Sequence, residues 1–403
     1  MRNWRGVAMS DNKKYTIKYA AVQGFYWAAF CSLLGFTAIF LLDRGYTNSE
    51  IGIIIALSNV AAVFLQPMIA SLADKYEKIT LKGIIWVGAA IILLTSAGLT
   101  IGVGASFLVS AFITFSLIGI MVIQPFVNTM SVQLEERGIF INFGVCRACG
   151  SFCYAMVSTV MGVLLKYNPT ALIPFSAAIL TLGLFASVGV LAAHKGEWKA
   201  GRLNKKKDAQ EKKAQGLVSF LVSHKKFFVF LIGITFIFYY HVLSCNFLYQ
   251  IIENVGGDSA SMGVASSISA VMELPAMIFF IKLVQRVSCK TLLRISGLFF
   301  AVKSILYFMA GSVGMIYAAQ LFQAGGYALF IPASVYYVSK LLDRADMVKG
   351  QSLVTTAITL GGVFASVVGG KMLDDYGAGM TLLVGAVVAV IGVISMSVSV
   401  EDV

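Results

Sequence analysis

The stretch HKGEWKAGRLNKKKDAQEKKAQGLVSFLVSHKK, residues 194–226, decides the fold, because it is the long polar interruption in an otherwise apolar chain. It carries ten Lys or Arg against Glu197, Asp208 and Glu211. On either side the apolar segments fall into two sets of six. The first set lies near 17–42, 51–72, 81–102, 105–134, 141–165 and 170–193. The second lies near 227–252, 260–284, 291–312, 314–340, 349–373 and 378–399. A helix crosses a bilayer with about 20 apolar residues, so each segment is of spanning length. The sequence therefore predicts an all-α, polytopic membrane protein with about 12 transmembrane helices in two pseudosymmetric six-helix bundles. Residues 1–193 and 227–403 form the bundles, joined by the basic cytoplasmic linker at 194–226.

Composition agrees with this reading. The chain has 403 residues, 58% hydrophobic and 12% charged, whereas soluble domains carry about 25% charged residues. Little length is left for a soluble domain, so any chemistry sits among the helices. Six Pro and 38 Gly suit helices that pack closely and bend locally. The N-terminal stretch has a basic lead, but its apolar run is span-length and lacks a small-residue cleavage site, so it reads as the first permanent helix. The six cysteines fall in or beside apolar segments and read as packing residues. Cys146, Cys149 and Cys153 share a helical face without further ligands, so no metal site is expected. The chain shows no Walker A sequence, nucleophile elbow or paired catalytic carboxylates. ATP-driven pumping and hydrolysis therefore lack machinery, and neither an enzyme nor a cofactor is expected.

In a membrane protein the placement of the cations matters more than the net charge of +12. Counted over alternate sides, 25 Lys and Arg fall on the side of the termini and the linker, and only Arg44, Lys166 and Lys371 on the other. The positive-inside rule then places both termini and the linker in the cytoplasm, with the chain multi-pass in the cell (inner or plasma) membrane. The linker is expected to lie near anionic lipid headgroups, without nucleic acid as a partner. A monomer is expected.

Charged and polar groups inside apolar segments mark the candidate site. Lys303 sits mid-span in LLRISGLFFAVKSILYFMAG, and Glu273 lies deep in SISAVMELPAMIFF. A charge at the bilayer centre costs at least ~2.5 to 3.5 kcal/mol, which pairing or protonation lowers. The two are expected to pair, either as a proton-coupling couple or as a static tie between the eighth and ninth spans. Lys282, four residues before Arg286, can snorkel to the headgroups. Arg147 stands in FGVCRACGSFCYAM with Ser151 and Tyr154 on its face. This is a fork of donors, a hydroxyl and an aromatic plane, suited to hydroxyl-rich or anionic ligands. The alternative is that Arg147 bonds carbonyls or Asn128, in the polar interruption Gln124–Pro125–Asn128 of the fourth span. Gln23 and Trp27 on the first span, with Asn59 and Gln66 on the second, can complete that wall. Gln320, Gln323 and Tyr327 recur at i, i+3 and i+7 on the tenth span. On the seventh, His241 and Ser244 are one turn apart with Asn246 beyond; His241 reads equally as proton carrier or as packing residue.

The stretch NSEIGIIIALSNVAAVFLQPMIASLADKYEKITLK resembles the second helix and following loop of the major facilitator superfamily. Ile51 to Ile54, Gln66-Pro67 and Asp74-Lys75 are similar to the lactose permease branch of oligosaccharide, nucleoside and phenylpropionate proton symporters. FGVCRACGSFCY resembles that branch's fifth helix, which implies Arg147 in the role of the galactoside-binding arginine and Tyr154 in that of the sugar-stacking tryptophan. Lys303 falls where the branch carries a ninth-helix arginine, and Glu273 within about one turn of its eighth-helix glutamate. The likeness runs to GGKMLDDYG at 369–377. Departures are informative. Asn128 stands for the fourth-helix glutamate, and Gln320, Gln323 and Gly326 for the tenth-helix lysine, histidine and glutamate. His241 and Ser244 stand for the seventh-helix aspartates and Ile358 for the eleventh-helix lysine, so lost anions go with lost cations.

The resemblance implies two bundles around a midplane cavity that opens alternately to either side. The leading expectation is a secondary active transporter. It carries a small polar organic solute, of the sugar or nucleoside class, in symport with protons. Arg147, Ser151, Tyr154, Asn128, Gln23, Trp27, His241, Gln320 and Gln323 are the candidate substrate residues. Glu273, Lys303 and His241 are the candidate coupling residues. The alternative is an exporter or facilitator of aromatic or anionic compounds, and a remote one is a non-transporting sensor or enzyme.

Overall fold

Apolar segments of this length have no water to satisfy their backbone in a bilayer, so they close their hydrogen bonds within helices. The computed structural model describes the backbone of residues 2–76, 78–101, 104–192 and 217–402. Residues 193–216, most of the expected linker, lie outside the described residues. In chain order the elements are α1 (Arg2–Phe30), a π turn at Cys31–Gly35, α2 (Thr37–Asp43), α3 (Asn48–Lys75), α4 (Leu81–Ile101) and α5 (Phe107–Glu136). Then come α6 (Phe143–Leu165), α7 (Leu172–Ala192), α8 (Leu217–Ser223), α9 (Lys225–Asn246) and α10 (Leu248–Asn254). They are followed by α11 (Ser259–Val284), α12 (Cys289–Phe308), α13 (Val313–Gln320), a 3-10 turn at Leu321–Gln323, α14 (Tyr327–Leu341) and α15 (Arg344–Ser399). Among the described residues nine helices are long and apolar enough to cross a membrane. The expected all-α, polytopic architecture is therefore the observed one.

Local chemistry sets several boundaries. The side chains of Ser106, Asn142, Asp258 and Ser288 accept the amide N–H of Val109, Val145, Ser261 and Thr291 and start α5, α6, α11 and α12. The apolar run Asp346–Ser399 is 54 residues, enough for two crossings at about 20 residues each. It breaks at Gly377, whose φ of 73° and ψ of 178° suit a residue without a Cβ.

Three spans that read as continuous are interrupted. The first turns through the π segment at Cys31–Gly35, the seventh bends at Phe247 between α9 and α10, and the tenth breaks over 321–326. Each interruption lies beside polar residues of the candidate site.

The contacts divide the chain into two compact units. The first comprises Met1–Tyr46 and Leu57–Lys205; in it α1 packs on α6 and α7, and α4 on α5 and α7. The second comprises Thr47–Ala56 and Lys206–Val403; in it α9 runs along α15, α12 packs on α14 and α15, and α11 on α13 and α14. Gly233 and Gly392 let α9 and α15 approach closely, since a Cβ on Gly233 would lie 2.8 Å from the Gly392 carbonyl oxygen. Phe227, Phe230, Phe238, Phe300, Phe330 and Tyr337 fill the core of this unit. The opening turns of α3 are pinned inside it. Asp374 on α15 accepts from the amides of Asn48 (3.0 Å) and Ser49 (2.7 Å) and from both their side chains, offsetting the orphan N–H groups of a helix start. Elsewhere large apolar side chains such as Phe64 and Leu94 remain exposed, as lipid contact requires.

Candidate transport site

In the first unit, Tyr19, Gln23 and Trp27 recur every four residues and form a stripe along one face of α1. Gln23 is fully buried, so its amide must find partners. Its Nε2 donates to Tyr19 Oη at 2.7 Å and to Asn128 Oδ1 at 3.1 Å, and its Oε1 accepts from Trp27 Nε1 at 3.1 Å. Tyr19 Oη in turn donates to the Val127 carbonyl at 3.2 Å. Both amide hydrogens and an acceptor are thereby used, which fixes the rotamer of Gln23 and the tilt of the Trp27 indole.

Arg147 on α6 completes this wall. Its guanidinium carbon lies 3.9 Å from the centre of the Trp27 ring, and its Nη1 donates to Ser151 Oγ at 2.7 Å. The packing is possible because residue 150 is glycine: a Cβ there would come within 2.5 Å of Trp27 Cδ1. A planar cation stacked on an indole, beside hydroxyl and amide groups, can bond an anion or a sugar hydroxyl through the fork and support a ring on its apolar side. The Tyr154 hydroxyl lies at the π turn, 3.5 Å from where a Cβ of Gly35 would stand, and the ring of Trp27 stacks on Arg147.

The polar break in α5 has a structural explanation. Pro125 has no N–H, which leaves the carbonyl four residues back, that of Met121, without its helical partner. Gln66 on α3 donates to that oxygen at 3.0 Å. Gln66 thus serves the backbone of α5.

In the second unit, Lys303 is buried, with 3% of its surface exposed. Its Nζ donates to Gln323 Oε1 at 2.7 Å, and Gln323 Nε2 donates to Glu273 Oε1 at 3.1 Å. The expected direct pair of Lys303 with Glu273 is therefore replaced by a chain through an amide from the tenth span. The correction follows from the break at 321–326, which carries Gln323 in between. Gln320 on the last turn of α13 is also buried, and its Oε1 has no partner among the described residues. Ser296 Oγ donates to the Gly326 carbonyl at 2.9 Å and holds the broken segment against α12.

His241 lies close to this chain inside an aromatic frame. Its ring stacks on Tyr327, with centroids 4.8 Å apart and planes at 20°, and meets Phe238 and Phe300 edge-on. Ser244 Oγ donates back to the His241 carbonyl at 2.8 Å, and Asn246 Nδ2 donates to Ser366 Oγ at 2.9 Å. Ser244 and Asn246 thus serve their own helices and α15.

Of the sequence candidates, the structure brings Gln23, Trp27, Asn128, Arg147 and Ser151 into one network, and Glu273, Lys303 and Gln323 into another. Tyr19 and Gly150 were not among those candidates. The four-residue recurrence from Tyr19 through Gln23 to Trp27 was the available signal for the first; the second shows only once α1 and α6 are packed. Among the described residues no group of three His, Cys, Asp or Glu is placed to hold a metal ion.

The model of the MFS_1 like family matches residues 16–384 of the chain. An uncharacterized transporter, YwbF, of Bacillus subtilis (strain 168) is 26% identical over 378 residues, covering 88% of this chain and 87% of the relative. A maltose permease of Geobacillus stearothermophilus is 24% identical over 373 residues, covering 91% and 90%. Among solved structures, a mutant form of the nucleoside transporter NupG superposes with a TM-score of 0.81 at 15% identity, covering 96% of this chain and 100% of that one. A D-xylose–proton symporter gives 0.66 at 13% identity, covering 96% and 98%. With the family model spanning most of an all-helical, polytopic chain, the protein belongs to the MFS_1 like family and is a membrane transporter of the major facilitator superfamily.

Proposed function

We propose that this protein takes up a small polar organic solute of the sugar or nucleoside class in symport with protons, by alternating access. The observation that carries the reading is the Lys303–Gln323–Glu273 chain. A buried ammonium and a carboxylate at membrane depth are costly, and their hydrogen-bonded link gives the carboxyl a charge state that other groups sense. Protons load Glu273. The solute is bound by Arg147, Ser151, Asn128 and Trp27, a wall that Gln23 holds in order, and its mixture of guanidinium fork, hydroxyl, amide and indole matches hydroxyl groups on an apolar ring. Tyr154 in the same unit, and Gln320 and His241 in the second, are further candidates for solute contact. The names of the relatives, a maltose permease, a nucleoside transporter and a xylose–proton symporter, support the same solute class. We place the protein in the cell membrane with both termini and the linker in the cytoplasm, on the distribution of its cations.

The test is a panel of radiolabelled sugars, nucleosides and aromatic acids in proteoliposomes, with and without an inward proton gradient. A sugar or nucleoside is expected to accumulate only with the gradient. Glu273→Gln is expected to abolish accumulation while sparing counterflow of the same solute. Uphill uptake retained by that variant would refute proton coupling through Glu273. Uptake of aromatic acids alone would point instead to the facilitator or exporter reading.

A further inference from the structure

Gln323 stands between the two charges of the second unit, and its amide faces each of them with a different atom. The ammonium of Lys303 can only donate, and an ionised carboxylate can only accept. A neutral group that links them must accept at one end and donate at the other. The amide does so in one orientation only, Oε1 toward Lys303 and Nε2 toward Glu273, because reversal would set N–H against ammonium and carbonyl against carboxylate. The two charges therefore fix which way the amide points.

We propose that Gln323 is a positioning residue that transmits the charge state of Glu273 to Lys303. The inference rests on the reading of Glu273 and Lys303 as the coupling groups. A proton arriving from water adds to a Glu273 oxygen and leaves the carboxyl neutral. The hydrogen bond from Nε2 then loses its charge assistance, which accounts for roughly half of its strength. The amide is freed to turn, and the new carboxyl O–H competes for Oε1, the atom that holds Lys303. Protonation on α11 is thereby felt as a loosened ammonium on α12.

The placement of Gln323 favours this role. It ends the 3-10 turn at the break between α13 and α14, so its backbone is not locked into a continuous helix. The groups facing the pair are His241 and Cys245 from α9 and Tyr307 from α12, with Tyr327 of α14 stacked behind on His241. Tyr307 presents its ring to Lys303 at 5.7 Å. Gln323 hydrogen-bonds both charges.

The experiment is a pH titration of the full-length protein in phosphatidylethanolamine–phosphatidylglycerol vesicles, followed by infrared spectroscopy. The protonated-carboxyl C=O band that disappears in Glu273→Gln reports Glu273 itself. In Gln323→Met, which keeps the length of the side chain without its hydrogen bonds, the midpoint of that band is expected to move by about one pH unit or more, tenfold in proton concentration. In Gln323→His, whose neutral ring accepts at one nitrogen and donates at the other, most of the shift is expected to be reversed. If Gln323→Met does not insert, Gln323→Asn, too short to span both charges, replaces it with the same expectation. A midpoint unchanged in Gln323→Met, a shift not reversed by Gln323→His, or no Glu273 band between about pH 4 and about pH 9 would overturn the proposal. A shifted band in a protein that accumulates no solute would leave the relay standing and defeat the transport reading. Proton-driven accumulation with an unmoved band would do the reverse.

Discussion

Arg147 lies over the Trp27 indole at 3.9 Å while one of its nitrogens holds Ser151. Stacking a cation on an aromatic face contributes about 0.5 to 2 kcal/mol, and the planar fork leaves further donors for a ligand. Lysine keeps the charge but has neither the plane nor the fork. We expect Arg147→Lys to weaken apparent solute affinity in proteoliposome uptake about tenfold or more, since one bidentate contact is of that size, while thermal stability in detergent changes little. Equal affinity in the variant would remove Arg147 from the binding wall. Gln23 acts differently: with three partners and no exposed surface, it orders the wall and does not offer a free group to a solute.

At the scale of elements, the interruptions matter more than the regular turns. In α5, Pro125 frees the Met121 carbonyl and Gln66 of α3 satisfies it at 3.0 Å. Leaving a buried acceptor unsatisfied costs about 1 to 3 kcal/mol. Gln66→Leu is therefore expected to lower the melting temperature of the detergent-solubilised protein. Adding Pro125→Ala, whose N–H can bond Met121, is expected to recover much of the loss. A cycle in which the two changes simply add would show that Gln66 does not serve this carbonyl. In the tenth span the break serves the site itself: Ser296 of α12 holds the Gly326 carbonyl, and Gln323 is set between α11 and α12. The hydropathy of this span shows the break poorly, because Leu321 and Phe322 are as apolar as their neighbours.

For the whole molecule, the asymmetry of Lys and Arg predicts a cytoplasmic C-terminus. A C-terminal green fluorescent protein is expected to fluoresce in bacterial cells and a C-terminal alkaline phosphatase to be inactive; the converse pair of results would invert the orientation. The all-α, polytopic class, with Lys303 and Glu273 as charges inside apolar segments, was determined by the sequence alone. Bilayer thickness and internal backbone satisfaction act on each segment by itself, so a local reading captures them. The partners of those charges were decided by tertiary structure. One residue of slip at a π turn, a 3-10 turn or a proline rotates a helix face by about 100°. That is enough to put an amide between Lys303 and Glu273, while Trp27 meets Arg147 because Gly150 lets α1 close on α6. Which polar atoms meet depends on the packed rotation of several helices at once, and no single stretch of chain encodes it.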